Sequence, residues 1–474
     1  MAVKTAKAES RVDMLNGPLL GKIIVYTLPI IFSGFLQLAY NAADIIVVGK
    51  FAENSTHALA AVGSTTALMN LFVNICMGLS AGANVVVARF YGAGDKNEVS
   101  RAVHTSFATG IIAGFVIGTI GFILTPNLLE MLECPPEILG DASMYMRICL
   151  AGMTFQMTYN FVSGIVRAAG DTKNPFIILV VSGLLNIVLN LVTVICFHLG
   201  VAGVAIATTC ANLLSAVLIT ILLLRSDDCI KLHFGKIRLH KDIILQICRI
   251  GIPSSIQGVT FSLSNTLLQS AINAKGPIVM AAGTASSNIE NFVYISMNSF
   301  YHTTLAFVGQ NHAAKKFDRA KKTVFICLAL VTLSGVTFGG LVNIFSETLF
   351  GFFIKADANF AATVAEGTKR LLVIAGPYFL CGWLDVLVGA IRGMGVSLVP
   401  MISSVVGVCG IRLIWIYLVY PYFDNTVWLY MCYPVSWFIV DILHCITFIY
   451  VMRKCVSADP TAKSPELSVT ADES

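Results

Sequence analysis

The chain is a succession of long apolar runs broken by short polar turns. Runs such as 176–197 and 201–224 are long enough for a helix of about 20 residues to cross the hydrocarbon of a bilayer. Twelve such runs can be drawn, at 22–48, 58–88, 102–125, 138–166, 175–198, 201–225, 242–273, 278–308, 323–346, 368–391, 397–420 and 428–452. Several exceed the minimum length, which predicts tilt. Alternating segments of about 10 residues, the mark of a transmembrane barrel, are absent. The pattern therefore predicts an all-α polytopic membrane protein with twelve transmembrane helices.

The pattern also repeats. Gly164, Arg167 and Gly170, followed by Pro175, return as Gly389, Arg392 and Gly395, followed by Pro400, each 225 residues on. Pro29 matches Pro253 and Asn41 matches Asn265 at an offset of 224. Phe72, Met77 and Ala93 match Phe292, Met297 and Ala313 at an offset of 220. Six spans return a chain to the side it left, so the copies run in the same direction. They are expected as two pseudo-symmetric six-helix bundles about an axis along the membrane normal, the plan of a transporter whose lobes rock about a cleft. The expected division is a cytoplasmic segment 1–21, a first lobe 22–226, a linker 227–241, a second lobe 242–453 and a disordered tail 454–474. Pro29 and Pro253 fall early in the first span of each copy, where a lost backbone bond permits a bend, and are expected hinges. Arg167 and Arg392 are expected to snorkel or to cap helix ends.

Composition agrees with the pattern: 56% of residues are hydrophobic and 12% charged, against about 25% charged in soluble domains. The net charge of +5 acquires meaning once sorted by side. With twelve spans, 24 of the 31 Lys and Arg fall on the face that holds both termini and 6 on the other. That asymmetry predicts cytoplasmic termini. The thirteen cysteines are scattered and form no Cys-x-x-Cys, so no metal site or disulfide framework is expected. No nucleotide-binding loop or catalytic constellation is present, so an enzyme is not expected, no cofactor is needed, and any uphill transport draws on an ion gradient. The basic stretch 225–249 lies between two spans, which argues against a nucleic-acid partner.

Specific residues then resemble a known family. Tyr40, Asn41, Asp44 and Gly49, followed by the run Leu59-Ala60-Ala61-Val62-Gly63, look like the first span and second-span entry of the multidrug and toxic compound extrusion (MATE) family. The doubled Gly-x-x-Arg-x-x-Gly element and Gly309-Gln310-Asn311 are similar to it as well, and the resemblance covers roughly 20–453. It implies a V-shaped pair of six-helix bundles in a bacterial inner membrane, exporting organic, often cationic, compounds in exchange for H+ or Na+. Carried over by motif, it implies an ion-coupling site at Asp44, Asn186, Asn190 and Thr208. Asn190 stands where many members have an aspartate, and no acidic residue follows Pro253 in the seventh span.

The intramembrane polar residues can also be read without the resemblance. A carboxylate within hydrocarbon costs about 2.5–3.5 kcal/mol on insertion scales, so Asp44 must face a cavity or partner, or lie in the wet interface. Asn186 and Asn190, four apart, share a helix face. With Asp44 and Thr208 they make an oxygen-rich group suited to a small hard cation or to a protonated carboxyl, or else polar glue between helices. In the second half, Glu290, Asp385, Arg412 and Asp441 are candidates for substrate or ion binding. The bland alternative pairs Arg412 with Glu290 or Asp441 to fix the bundle.

The expected function is a monomeric secondary antiporter for a small organic, cationic solute, driven by H+ or Na+. A flippase for lipid-linked sugars of related architecture is the alternative, and would need a strongly basic cavity for pyrophosphate.

Overall fold

The computed structural model describes residues 11–51, 55–226, 228–354, 359–423 and 425–458. Among these residues the regular structure is entirely helical. The helices group into twelve rods, numbered here as spans in chain order. The first three are Leu19–Phe51, Ser55–Ala93 and Lys96–Met131. The fourth is broken, as Pro136–Ala151 and Met153–Ala168. Lys173–Leu191, continued by a wider turn to Cys196, is the fifth, and Gly200–Leu224 the sixth. Lys241–Asn273, Pro277–Ala313 and Phe317–Ile344 are the seventh to ninth. A short helix Ser346–Phe353 precedes the tenth span, Phe360–Ile374 and Phe379–Gly393. The eleventh runs 398–422 through two wide turns, and the twelfth is Thr426–Tyr430 with Cys432–Ser457.

Among the described residues, eight helices are long and apolar enough to cross a membrane, and the two parts of the tenth span qualify together across a 41° bend. The fourth, seventh and eighth spans fall short for a physical reason. The fourth is interrupted at Gly152, where a Cβ would lie 2.7 Å from the Thr209 side chain. The seventh and eighth are central, and their buried faces carry Ser254, Ser255, Gln257, Glu290, Thr303, Thr304, Gln310 and Asn311. Polar side chains that face protein rather than lipid lower mean hydropathy without costing stability, provided they find partners.

Two expected boundaries need correction. The last helix runs to Ser457, so the first residues of the expected disordered tail are helical; 459–474 lie outside the described residues, as do 1–10 of the N-terminal segment. The tenth span begins at Phe360 rather than 368. Its early residues are polar enough to look like a loop, yet its first helix buries Thr363, Glu366 and Arg370 against its neighbours.

The repeat motif has a local structural reason. After span four, the Gly170 N–H donates to Arg167 O and Asp171 N–H to Val166 O. After the tenth span, Gly395 N–H donates to Arg392 O and Val396 N–H to Ile391 O. This is the same helix-ending hydrogen-bond pair in both copies. The closing residues have φ of +94° and +90°, a region open to glycine and strained for other residues.

The halves of the chain meet backbone to backbone at one end. A Cβ on Gly78 would sit 2.3 Å from Ser255 N, one on Gly82 2.4 Å from Ile247 O, and one on Gly92 2.3 Å from Gln310 O. Small residues such as Gly78 and Gly82, four apart, allow such approach between membrane helices. Hydrogen bonds cross the same seam: Ser255 Oγ to Ile75 O at 2.9 Å, Gln310 Nε2 to Ala168 O at 2.6 Å, and the Thr27 and Thr303 hydroxyls at 2.8 Å.

Candidate functional site

The far half of span one carries Gln37, Asn41 and Asp44, spaced four and three apart and therefore on one helical face. Tyr40 beside them anchors that face. Its ring lies flush on Gly183 of span five, where a Cβ would fall 1.6 Å from the ring, and its hydroxyl donates to Leu179 O at 3.2 Å. Glycine at 183 is thus a space requirement, and it fixes span one against span five.

Asp44 closes a small polar ring drawn from three spans. Asn190 Nδ2 donates to Asp44 Oδ1 at 2.5 Å and Thr208 Oγ1 to Asp44 Oδ2 at 3.4 Å. Asn186 Nδ2 reaches Thr208 Oγ1 at 3.3 Å, and Asn190 Nδ2 reaches Asn186 Oδ1 at 3.3 Å. The structure therefore brings together all four residues of the expected group. Asn190 is fully buried, and its Oδ1 has no partner among the described residues. An orphaned amide oxygen beside a carboxylate is an unfilled acceptor position. The donor set is hard oxygen, which fits a proton on Asp44 or a small alkali cation. No cluster of three or more His, Cys, Asp or Glu with metal-binding geometry occurs among the described residues.

The ring opens into a cavity of about 370 Å³. Its wall includes Tyr40, Tyr145, Met69, Gln156 and Asn212, and no Lys or Arg among the described residues contributes to it. A pyrophosphate-bearing lipid would have no cation to bind there.

The second-half candidates do not gather into one site. Glu290 is paired with Arg370, not Arg412: Nε to Oε1 is 2.9 Å and Nη2 to Oε2 is 3.1 Å. Arg370 also donates to the Ser287 hydroxyl at 2.8 Å. The expected span 368–391 puts Arg370 at its very end, near the membrane surface; because the helix starts eight residues earlier, Arg370 sits within the bundle. Arg412 instead donates to Asn265 Oδ1 at 2.8 Å and lies 4.3 Å over the Tyr433 ring. Asp385 accepts from Asn298 Nδ2 at 3.1 Å. Asp441 is buried, and neither carboxylate oxygen has a hydrogen-bond partner among the described residues. The prolines 29 and 253 sit inside helices that continue on both sides. Arg392 is no snorkelling residue. It is buried, donating to Gln257 at 2.7 Å and Tyr301 at 3.0 Å.

The sequence pattern did not single out Gln37, Asn70, Gln156 or Asn212 as cavity residues. The available signal was a carboxamide recurring within otherwise apolar runs.

The MatE family model matches twice, over residues 29–192 and 253–418, which together make up more than half of the chain. The chain belongs to the MatE family. The two matches begin at Pro29 and Pro253, as the internal repeat requires. Among curated relatives, the probable multidrug resistance protein YoeA of Bacillus subtilis is 24% identical over 82% of this chain and 84% of its own length. The multidrug export protein MepA of Staphylococcus saprophyticus is 20% identical over 83% and 89%. A solved structure described as the outward-facing conformation of a multidrug resistance MATE family transporter superposes with a TM-score of 0.84. It is 20% identical and covers 94% of this chain and 98% of that one, a likeness of fold. The protein is thus a multi-span MATE transporter and not an enzyme.

Proposed function

We propose that this MATE protein is a secondary antiporter of the cell membrane that exports an organic cation in exchange for H+ or Na+, with Asp44 as the shared coupling residue. The observation that carries this reading is the ring at Asp44: a single carboxylate, held by Asn190 and Thr208, in the wall of a cavity to which no Lys or Arg among the described residues contributes. A carboxylate that is protonated, or that neutralises a sodium ion, no longer offers its charge to a cationic solute. Ion and solute then compete for one group, and competition at one group produces exchange. The ion drives the cycle only if it binds the two conformations unequally. Each charge crossing the membrane is worth about 2.3 kcal/mol per 100 mV, enough for a useful gradient of solute.

The two six-span halves are the proposed rocking lobes, 22–226 and 242–453, with cytoplasmic termini and hinges at Pro29 and Pro253. Glu290, Asp385, Arg412 and Asp441 are secondary candidates. Glu290, Arg412 and Asp385 already have protein partners, which favours Asp441, whose carboxylate oxygens have none among the described residues, for any second ion or substrate contact. The test is reconstitution into liposomes with pH and sodium gradients imposed separately while a fluorescent organic cation is followed. One gradient should drive uptake in the wild type, and Asp44→Asn should abolish it while inserting normally. Undiminished gradient-driven uptake by Asp44→Asn would reject the assignment.

A further inference from the structure

We propose that the cavity at Asp44 selects a hydroxyl- or amide-rich solute with one positive charge, rather than an apolar aromatic cation. This rests on the reading of that cavity as the transport site. Besides Asn186 of the Asp44 ring, five carboxamides line it from four different spans: Gln37 and Asn41 from the first, Asn70 from the second, Gln156 from the fourth and Asn212 from the sixth. None of these five side chains has a hydrogen-bond partner among the described residues. Gln37, Asn41 and Asn70 are exposed. On a membrane span, an exposed and unpaired carboxamide is costly against acyl chains, so these groups face a wet cleft.

The asymmetry between the two halves argues that the groups are left free for use. Asn265, the repeat partner of Asn41, is occupied internally by Arg412 at 2.8 Å. Asn41 in the first half has no such partner and opens on the cavity. Each carboxamide offers two N–H donors and one acceptor oxygen. Together they can satisfy a ligand carrying several hydroxyl or amide groups, whereas an apolar ligand would bury them unpaired. Sites built on hydrogen bonding reject analogues that lack the matching groups far more strongly than apolar pockets reject extra polarity. The charge follows from Asp44, the sole Asp or Glu in the wall among the described residues. One carboxylate balances one ammonium, and a polycation would keep uncompensated charge.

The test compares two cations carried by the purified full chain in liposomes: N-methylglucamine, a polyhydroxylated amine, and tetraphenylphosphonium, an apolar one. N-methylglucamine should be transported by the wild type, and the Gln156→Leu/Asn212→Leu pair should lower its transport about tenfold or more. The same pair should leave tetraphenylphosphonium unchanged or raise it. The variant Asn41→Leu, on an exposed face where folding tolerates change, should act in the same direction. Preference for tetraphenylphosphonium in the wild type, or N-methylglucamine transport indifferent to all these substitutions, overturns the proposal. Failure of the underlying reading has a different signature: transport of both cations would be insensitive to Asp44→Asn.

Discussion

Arg370 and Glu290 form a bidentate pair whose side chains are 3% and 8% exposed. Two charges so deeply placed are tolerated because each satisfies the other. Removing one partner leaves an uncompensated buried charge, at a cost of about 3–5 kcal/mol. Arg370→Ala should therefore lower the unfolding temperature of the detergent-solubilised protein sharply. Arg370→Met combined with Glu290→Leu should recover much of the loss. A near-normal melting temperature for Arg370→Ala would show that water or another group satisfies Glu290. The pair also marks what the residue pattern did not make legible. Asn186 and Asn190 advertised a common face through their spacing, so their meeting with Asp44 and Thr208 was readable. The partner of Glu290 was not, because choosing it required knowing where the tenth helix starts. A short polar stretch at a helix start resembles a loop until its neighbours are known.

Residues 11–18 form an irregular strap across the end where the two halves touch. On one side, Arg11 Nη1 lies 2.5 Å from Asp228 Oδ2 of the linker, and Val12 N–H donates to Gly170 O of the first half at 2.9 Å. On the other, Arg319 donates to three strap carbonyls, of Met14, Asn16 and Gly17, at 2.8–3.0 Å. Asn311 reaches Met14 O at 3.1 Å. The Met14 side chain is buried beneath the strap. Arg319→Ala removes the three bonds together, a change of about 1–3 kcal/mol at this partly exposed site. The N-terminal segment should become more sensitive to protease, with the helical spans unaffected; unchanged cleavage would show the strap held elsewhere. The Asp228 end is sensitive to pH. Burial opposes its charge, but hydrogen bonds from Cys229 N–H and Tyr91 and the Arg11 guanidinium hold its carboxyl below the ordinary range. A lowered folded value means that the attachment stabilises the fold fully above the ordinary aspartate value of about 3.9. It is lost as pH falls through the folded value. Strap protection should thus be constant around neutrality and disappear in strong acid, and Asp228→Asn should flatten that profile. Sequence alone marked this segment as polar and basic. Its order depends on carbonyl acceptors and on a partner 217 residues away, which no local pattern encodes.

At the scale of the whole molecule, the internal repeat made the architecture legible, because Gly170 and Gly395 end helices by the same hydrogen bonds in both copies. The division of labour was less so. Equivalent positions have diverged, so that Asn41 faces a cavity while Asn265 binds Arg412. Close backbone contact at one end and a cavity in the first half fit a molecule whose halves separate and rejoin. Gly82→Leu places side-chain atoms where Ile247 O already sits and should block that closure. Transport should fall to background in protein that still inserts and remains monodisperse, and normal turnover would mean that the seam is not needed. The central claim is that the driving ion and the exported cation share Asp44. It is tested most directly by measuring the apparent affinity for an exported cation at increasing proton and sodium concentrations, in wild type and in Asp44→Asn. The wild type should bind more weakly in proportion to one of the two ions, and the variant should show weak binding indifferent to both. Wild-type affinity independent of both ions, or ion-dependent binding that persists in Asp44→Asn, would contradict it.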